Sequence, residues 1–306
     1  MRFGLVGTGP WAEIAHGPGL VVAEDVELVG VWGRSSPKAQ RLADRLGVPA
    51  YEDLDTLYDE VDAVSFAVPP EVQGELALRA AQRGKHLLLD KPVAATVDAA
   101  RRLVDVVQEA GVASVVFFTD RFTPTTRAWL AEVNRTAAEV GPWQGGWGRW
   151  LSALWAEGSP FGESSWRQEH GALRDIGPHL VSYVTAALGP VASVTAVPGA
   201  EDVTHLVFTH ESGATSAGLV THSAAEEDFE FALWGPGGVT RVPVRGGADH
   251  EAAALAVAAG ELVEAAHSGE PHPLDVRFGA RAVELVVDAE LQVSRARAAR
   301  QPAGPR

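Results

Sequence analysis

Residues 2–12 read Arg2-Phe3-Gly4-Leu5-Val6-Gly7-Thr8-Gly9-Pro10-Trp11-Ala12. A short apolar run is followed by two glycines separated by one residue, then by an alanine where helical sequence begins. This is the pattern of a strand–turn–helix unit that cradles a pyrophosphate. Gly7 permits the tight turn, Gly9 lets backbone approach the phosphates, and Ala12 packs the helix closely on the strand while its N-terminus faces the negative charge. Gly-x-Gly-x-x-Ala alone is a weak signal that any turn can produce. Placed behind an apolar strand at the start of a strand–helix series, it predicts dinucleotide contacts from Gly7, Thr8, Gly9, Pro10 and Trp11.

The neighbouring sequence supplies that series. Apolar runs at 27–33, 62–70, 85–92 and 113–122 alternate with helical runs at 36–47, 70–84 and 96–111. Apolar residues in the latter recur three and four apart, as at Leu76, Ala77, Ala80 and Ala81, or Leu103, Val106 and Val107. Gly47, Gly84 and Gly111 stand where a helix C′ residue would fall. Strands apolar on both faces, with helices between them, imply a parallel sheet covered on both sides. Past about residue 121 the rhythm changes. A helix at 124–141 leads into a Trp- and Gly-rich stretch at 143–166, and Ala172 to Leu188 again reads as helix. Five strand-like runs (192–199, 202–211, 214–223, 228–236 and 239–245) imply a largely antiparallel sheet. Helices at 249–267 and 275–299 close the chain before a frayed tail, 300–306. The expected fold is α/β, with a dinucleotide-binding Rossmann domain over 1–120. The remainder, 121–306, with its largely antiparallel sheet, is expected to bind substrate and to oligomerise.

Composition bounds the function. A chain of 306 residues corresponds to about two domains. Cysteine is absent, which excludes disulfides, thiolate metal sites and a cysteine nucleophile. A net charge of −15 argues against a nucleic-acid binder, which needs a positive footprint. No apolar stretch approaches the roughly 18 residues of a membrane span, and the first residues do not read as a leader. A cytoplasmic protein with no membrane or nucleic-acid partner is expected.

Cofactor choice falls at the end of the second strand, Val31-Trp32-Gly33-Arg34-Ser35-Ser36-Pro37-Lys38. Sites for NAD usually place a carboxylate there for the ribose 2′-hydroxyl. None occurs. Arg34, with Ser35 and Lys38, suits a 2′-phosphate instead, so NADP(H) is favoured over NAD(H). Asp90-Lys91-Pro92 follows a buried strand on the ligand-binding side of such sheets. Lys91 can polarise a substrate oxygen beside the nicotinamide, or simply pair with Asp90 at the surface. Asp175 and His179, four apart at a helix start marked by Pro178, are candidates for proton exchange with an alcohol, although a core histidine fits the same spacing. No further ligands are spaced to complete a metal site, so no metal is expected. Trp166 and Arg167 are assigned to a substrate cleft, where an Arg can hold a phosphate or carboxylate. Arg121 is a weaker candidate, and His205, His210 and His222 read as structural.

Together these stretches resemble the glucose-fructose oxidoreductase / inositol dehydrogenase / MocA-like family of NAD(P)-dependent oxidoreductases. The likeness runs through GTGPWA, YEDLDTLYDEVDAVSFAVPP, GKHLLLDKPVA, DRFTP and GALRDIGPHLVSY. It implies an N-terminal Rossmann domain and a C-terminal α/β domain with a large open, mostly antiparallel sheet, catalysis by Lys91, acid/base work by His179 with Asp175 as its neighbour, and a cis Lys91–Pro92 bond. Cofactor contact is implied for Ala67, Pro69, Gln73, Asp90, Arg121, Trp166 and Arg167. Gln73 stands where the family often has His, Asp90 replaces the commoner Glu, and His170-Gly171 replaces a run of glycines. The implied activity interconverts an alcohol and a carbonyl on a sugar, cyclitol or related polyol, in a homo-dimer or homo-tetramer. A dinucleotide-sensing regulator, or a hydrolase or lyase using bound NAD transiently, remains open on the residues alone.

Overall fold

The computed structural model describes residues 1–159, 161–162, 164–243 and 250–300. The end of the strand-like run 239–245 and nearly all of the tail 300–306 therefore lie outside the described residues. The chain divides into two compact units, Met1–Thr123 with Gly246–Val283 and Pro124–Arg245 with Glu284–Arg306. Residues 246–283 thus group with the first unit, whereas the sequence suggests a single boundary near 120.

The first unit is built on a six-stranded parallel sheet in the order β3-β2-β1-β4-β5-β6. Its strands are β1 (Arg2–Val6), β2 (Glu27–Trp32), β3 (Ala50–Tyr51), β4 (Ala63–Phe66), β5 (His86–Asp90) and β6 (Ser114–Phe117). The order runs outward from β1 in both directions, so the crevice of a doubly wound sheet opens at the carboxyl ends of β1 and β4. The connecting helices are α1 (Gly17–Val22), α2 (Ser36–Leu46), α3 (Leu54–Glu60), α4 (Pro70–Gln82) and α5 (Val97–Ala110). Left-handed Gly47 (φ 71°) and Gly111 (φ 66°) end α2 and α5, as their positions predict. Asp53 caps α3 by accepting a hydrogen bond from Thr56 N at 2.9 Å. From the later chain α9 (His250–Ser268) packs on α1, β5 and β6. The core is mainly apolar, and all four residues of β4 and of β6 are buried, Ser65 and Ser114 among them.

The second unit carries a mixed six-stranded sheet, β12-β11-β7-β10-β9-β8. Its strands are β7 (Gly145–Leu151), β8 (Val191–Pro198), β9 (Thr204–His210), β10 (Thr215–Thr221), β11 (Asp228–Gly235) and β12 (Gly238–Arg241). Four of the five strand pairs are antiparallel, and β7 runs parallel to β10. β7 corrects the sequence reading, which left this stretch as a Trp- and Gly-rich connection. Gly145, Gly146 and Gly148 supply no apolar alternation to detect. They serve packing instead, because a Cβ on Gly148 would come within 2.9 Å of Leu180 and of Phe231.

The helices of this unit are α6 (Pro124–Val140), α7 (Ser165–Asp175) and α8 (Gly177–Leu188), joined by the later part of α10 (Val276–Arg300). The single helix expected from Ala172 to Leu188 is two, because the chain is already helical at Ser165 and breaks around Ile176. Gly171 (φ 66°) adds a kink within α7. One face of the sheet packs on α8. The other leaves Val197, Val207 and Trp234 about 40–50% exposed, beside a ladder of Arg149, Asp228, Glu230 and Arg241. Among the described residues no helix is long and apolar enough to cross a membrane.

Candidate active site

In the first unit the glycine loop is fixed by contacts that only glycine allows. Gly7 has φ 134°, and a Cβ there would stand 2.2 Å from the carbonyl oxygen of Ala67. Gly7 N donates to Trp32 O at 2.9 Å and Ala67 N to Val6 O at 2.9 Å, so the loop is seated between the ends of β2 and β4. Around Gly9 the situation reverses, because a Cβ there would meet nothing within 4 Å. Open space above an exposed backbone is what a pyrophosphate requires, and Gly7, Thr8 and Gly9 fit that group. Behind the loop the chain makes a π turn, Ala12–His16, before α1. Trp11 lies half-buried against Phe117, ring centroids 6.2 Å apart.

Beyond β2, Arg34 is exposed and makes no ion pair with a described residue, while Ser35 takes the N-cap position of α2. Pro69 precedes α4 at the surface, and Ala67 is buried beneath Gly7. At the end of β5 the Lys91–Pro92 bond is cis. Lys91 is half-buried, and its backbone N donates to Asp90 Oδ1 at 2.8 Å. Buried Gln73 grips this turn from α4. Its amide donates to the carbonyls of Asp90 (2.7 Å), Pro92 (3.1 Å) and Val93 (3.2 Å), and accepts from Asp90 N (2.9 Å). That side chain is committed to holding the Lys91 turn. Arg121, half-buried, sits in a single 3-10 turn after β6.

The second unit gathers Arg167, Asp175, His179 and His222. Arg167 Nε donates to Asp175 Oδ2 at 2.7 Å, with the guanidinium 4.7 Å above the Phe161 ring. His222 Nε2 approaches the same oxygen at 3.4 Å. The His222 ring is buried, lies edge-on to Trp155, and forms no hydrogen bond with a described residue. His179, also buried, lies against Trp150 with ring centroids 5.0 Å apart. Trp166 is half-buried and edge-on to His170. Asp202 anchors the strand end that carries His222. Burial alone would raise its carboxyl pKa, but hydrogen bonds from Thr221 Oγ1, His222 N and Ser223 Oγ outweigh that and hold it below the usual carboxylate range.

Two findings here were not legible in the sequence. His222 reads as one more histidine on a strand, yet sheet pairing brings it to Asp175. Asp175 reads as a neighbour for His179, yet it also receives Arg167 and His222. Among the described residues no three His, Asp or Glu side chains converge as metal ligands would.

Residues 1–118 match the model of the GFO_IDH_MocA oxidoreductase family, described as an NAD-binding Rossmann fold. Over those residues the chain is similar to this family. D-xylose 1-dehydrogenase (NADP(+)) 2 of Haloferax volcanii is 33% identical over 144 residues, or 46% of this chain and 43% of that protein. The chain thus matches less than half the length of that curated relative. Solved structures align almost throughout. UDP-N-acetylglucosamine 3-dehydrogenase from Acidithiobacillus ferrooxidans superposes with a TM-score of 0.81 at 19% identity, covering 97% of this chain and 98% of that one. Scyllo-inositol dehydrogenase from Lactobacillus casei gives 0.82 at 16% identity, covering 96% of each. At such identities the superpositions establish the fold: a Rossmann unit and an α/β unit with a mixed, mostly antiparallel sheet.

Proposed function

We infer that this protein is an NADP(H)-preferring oxidoreductase that interconverts a secondary alcohol and a carbonyl on a sugar, cyclitol or related polyol. The observation that carries the reading is the glycine loop, where Gly7 is pressed on Ala67 and Gly9 leaves a backbone surface open for a pyrophosphate. Arg34, exposed and unpaired among the described residues, supports the preference for a 2′-phosphate. When bound, the nicotinamide supplies the hydride chemistry. The chain's own residues bind, orient and move the proton. Lys91 offers a positive charge to the substrate oxygen and stabilises the alkoxide character that develops there. His179 exchanges the hydroxyl proton. Asp175, Arg167 and Trp166 shape the surface met by substrate or cofactor. Similar proteins that are named dehydrogenases of D-xylose, levoglucosan and glucose 6-phosphate support a carbohydrate substrate.

The test is calorimetric titration with NADPH and NADH, followed by a screen of polyols and keto-sugars at the nicotinamide absorbance. Tighter binding of NADH would overturn the cofactor preference. Binding of neither dinucleotide would overturn the function.

A further inference from the structure

Behind the glycine loop lies a polar side chain that the proposed chemistry does not use. His16, at the end of the π turn, has a relative exposure of 0%. Its Nδ1 is 2.8 Å from Ser65 Oγ on β4, and its Nε2 is buried with no hydrogen-bond partner among the described residues. The ring stands edge-on to Phe117 at 5.7 Å, and Phe117 in turn faces Trp11 of the loop.

A buried imidazole with one nitrogen unsatisfied is less favourable than an apolar side chain of similar volume. Such departures in natural proteins gather where a position matters for function. The π turn makes the same point through the backbone. Gly17 N bonds to Ala12 O, five residues back, in place of the usual four. Single π turns of this kind are frequent at functional sites. What the ring reaches is informative. Ser65 pairs in register with Leu5 on β1 and stands two residues before Ala67, whose carbonyl forms the wall against Gly7.

We propose that His16 is a positioning residue for dinucleotide binding: its bond to Ser65 ties the helix behind the loop to the strand that forms the loop's opposite wall, and its contact with Phe117 sets the support under Trp11. Burial lowers the imidazole pKa to about 3, so the ring stays neutral and the tie persists through the physiological range. The inference rests on the reading of the loop as a dinucleotide site.

The experiment titrates NADPH and NADH into wild type, His16→Asn, His16→Leu and Ser65→Ala, and records each melting temperature without ligand. In His16→Asn the side-chain amide takes the place of Nδ1, and binding should stay within about threefold of wild type. His16→Leu and Ser65→Ala break the tie and should weaken binding by about tenfold, the scale of one lost hydrogen bond. His16→Leu also removes the unsatisfied nitrogen, so it should melt at or above wild type while binding less well. A merely structural histidine would move affinity and stability together. Unchanged affinity in Ser65→Ala and in a folded His16→Leu, with wild type binding normally, overturns this inference and leaves the proposed function standing. A wild type that binds neither dinucleotide overturns both.

Discussion

Gly7 and Gly9 are two residues apart and invite the same substitution, yet the structure assigns them opposite outcomes. In Gly7→Ala the new methyl would stand 2.2 Å from the Ala67 carbonyl oxygen, at a backbone φ of 134° that side chains rarely adopt. The conformational strain is about 1–3 kcal/mol, and forcing β4 away adds about 1–3 kcal/mol of overpacking. A loss of about 2–6 kcal/mol is a large part of a typical domain stability of about 5–15 kcal/mol. In Gly9→Ala the methyl enters empty space. Stability should hold within about 0.5 kcal/mol, as for ordinary surface changes. Affinity should not, because the methyl occupies the approach to the pyrophosphate, and a fall of at least about tenfold, roughly 1.4 kcal/mol, is expected. Urea denaturation followed by circular dichroism gives the stabilities, and NADPH titration gives the affinities. A Gly7→Ala protein as stable as wild type, or a Gly9→Ala protein that binds like wild type, would refute the account of the loop.

Arg34→Ala should weaken NADPH far more than NADH in paired titrations, and equal effects would remove its assignment to the 2′-phosphate. His179→Ala should lower kcat by about 10²–10⁴-fold with cofactor Kd nearly unchanged, and Lys91→Ala should be at least as damaging. Near-normal turnover in both would mean that the chemistry has been placed on the wrong residues. His16 also gives stability a pH dependence. Its pKa is 6.5 when unfolded and about 3 when folded, so the unfolded chain takes up the proton first and stability is lost as pH falls from 6.5 toward 3. Between pH 7.5 and 5.5 wild type should lose about 1.4 kcal/mol more than His16→Asn in urea denaturation, and parallel losses would contradict the burial. Finally, the outward sheet face with Val197 and Val207 should form a homo-dimer or homo-tetramer, measured by sedimentation. A monomeric wild type at micromolar concentration, or a Val207→Glu protein that assembles normally, would refute that interface.

The first unit was legible because its signals are local and redundant. Runs such as LLL at 87–89 are buried on both sides, and Gly47, Gly84 and Gly111 take the positive φ that their places after helices demand. β3 escaped because two residues carry no period, and β7 because glycines have no side chain to alternate. α7 escaped because SWRQEHGALRD has a polar start and a kink at Gly171. At the candidate site, Lys91, Asp175, His179 and Arg167 were chosen for chemical type and motif. The pairing of Arg167 with Asp175 crosses eight residues around a kink, and that of His222 crosses a sheet, so neither follows from spacing. Gln73 stands at the cofactor by resemblance, and its grip on the Asp90–Val93 backbone is a tertiary contact that no sequence spacing encodes.

The place of β7 within its sheet bears on synthesis. Gly145 pairs with Thr215 on one side and with Trp234 on the other, partners 70 and 89 residues later in the chain. At about 5–20 residues per second, a ribosome delivers those partners roughly 4–18 s after β7 itself. Throughout that interval the sheet's inner strand is an unclaimed edge, the form in which nascent chains most readily find a wrong partner. Stalled chains ending before residue 215 should accordingly be cut by protease within 145–151. Aggregation-prone segments combine strong β-propensity with few glycines, and this one has three in its first four residues. Gly148, which lets α8 press against the finished sheet, joins Gly145 and Gly146 in making the waiting strand a poor template for another chain.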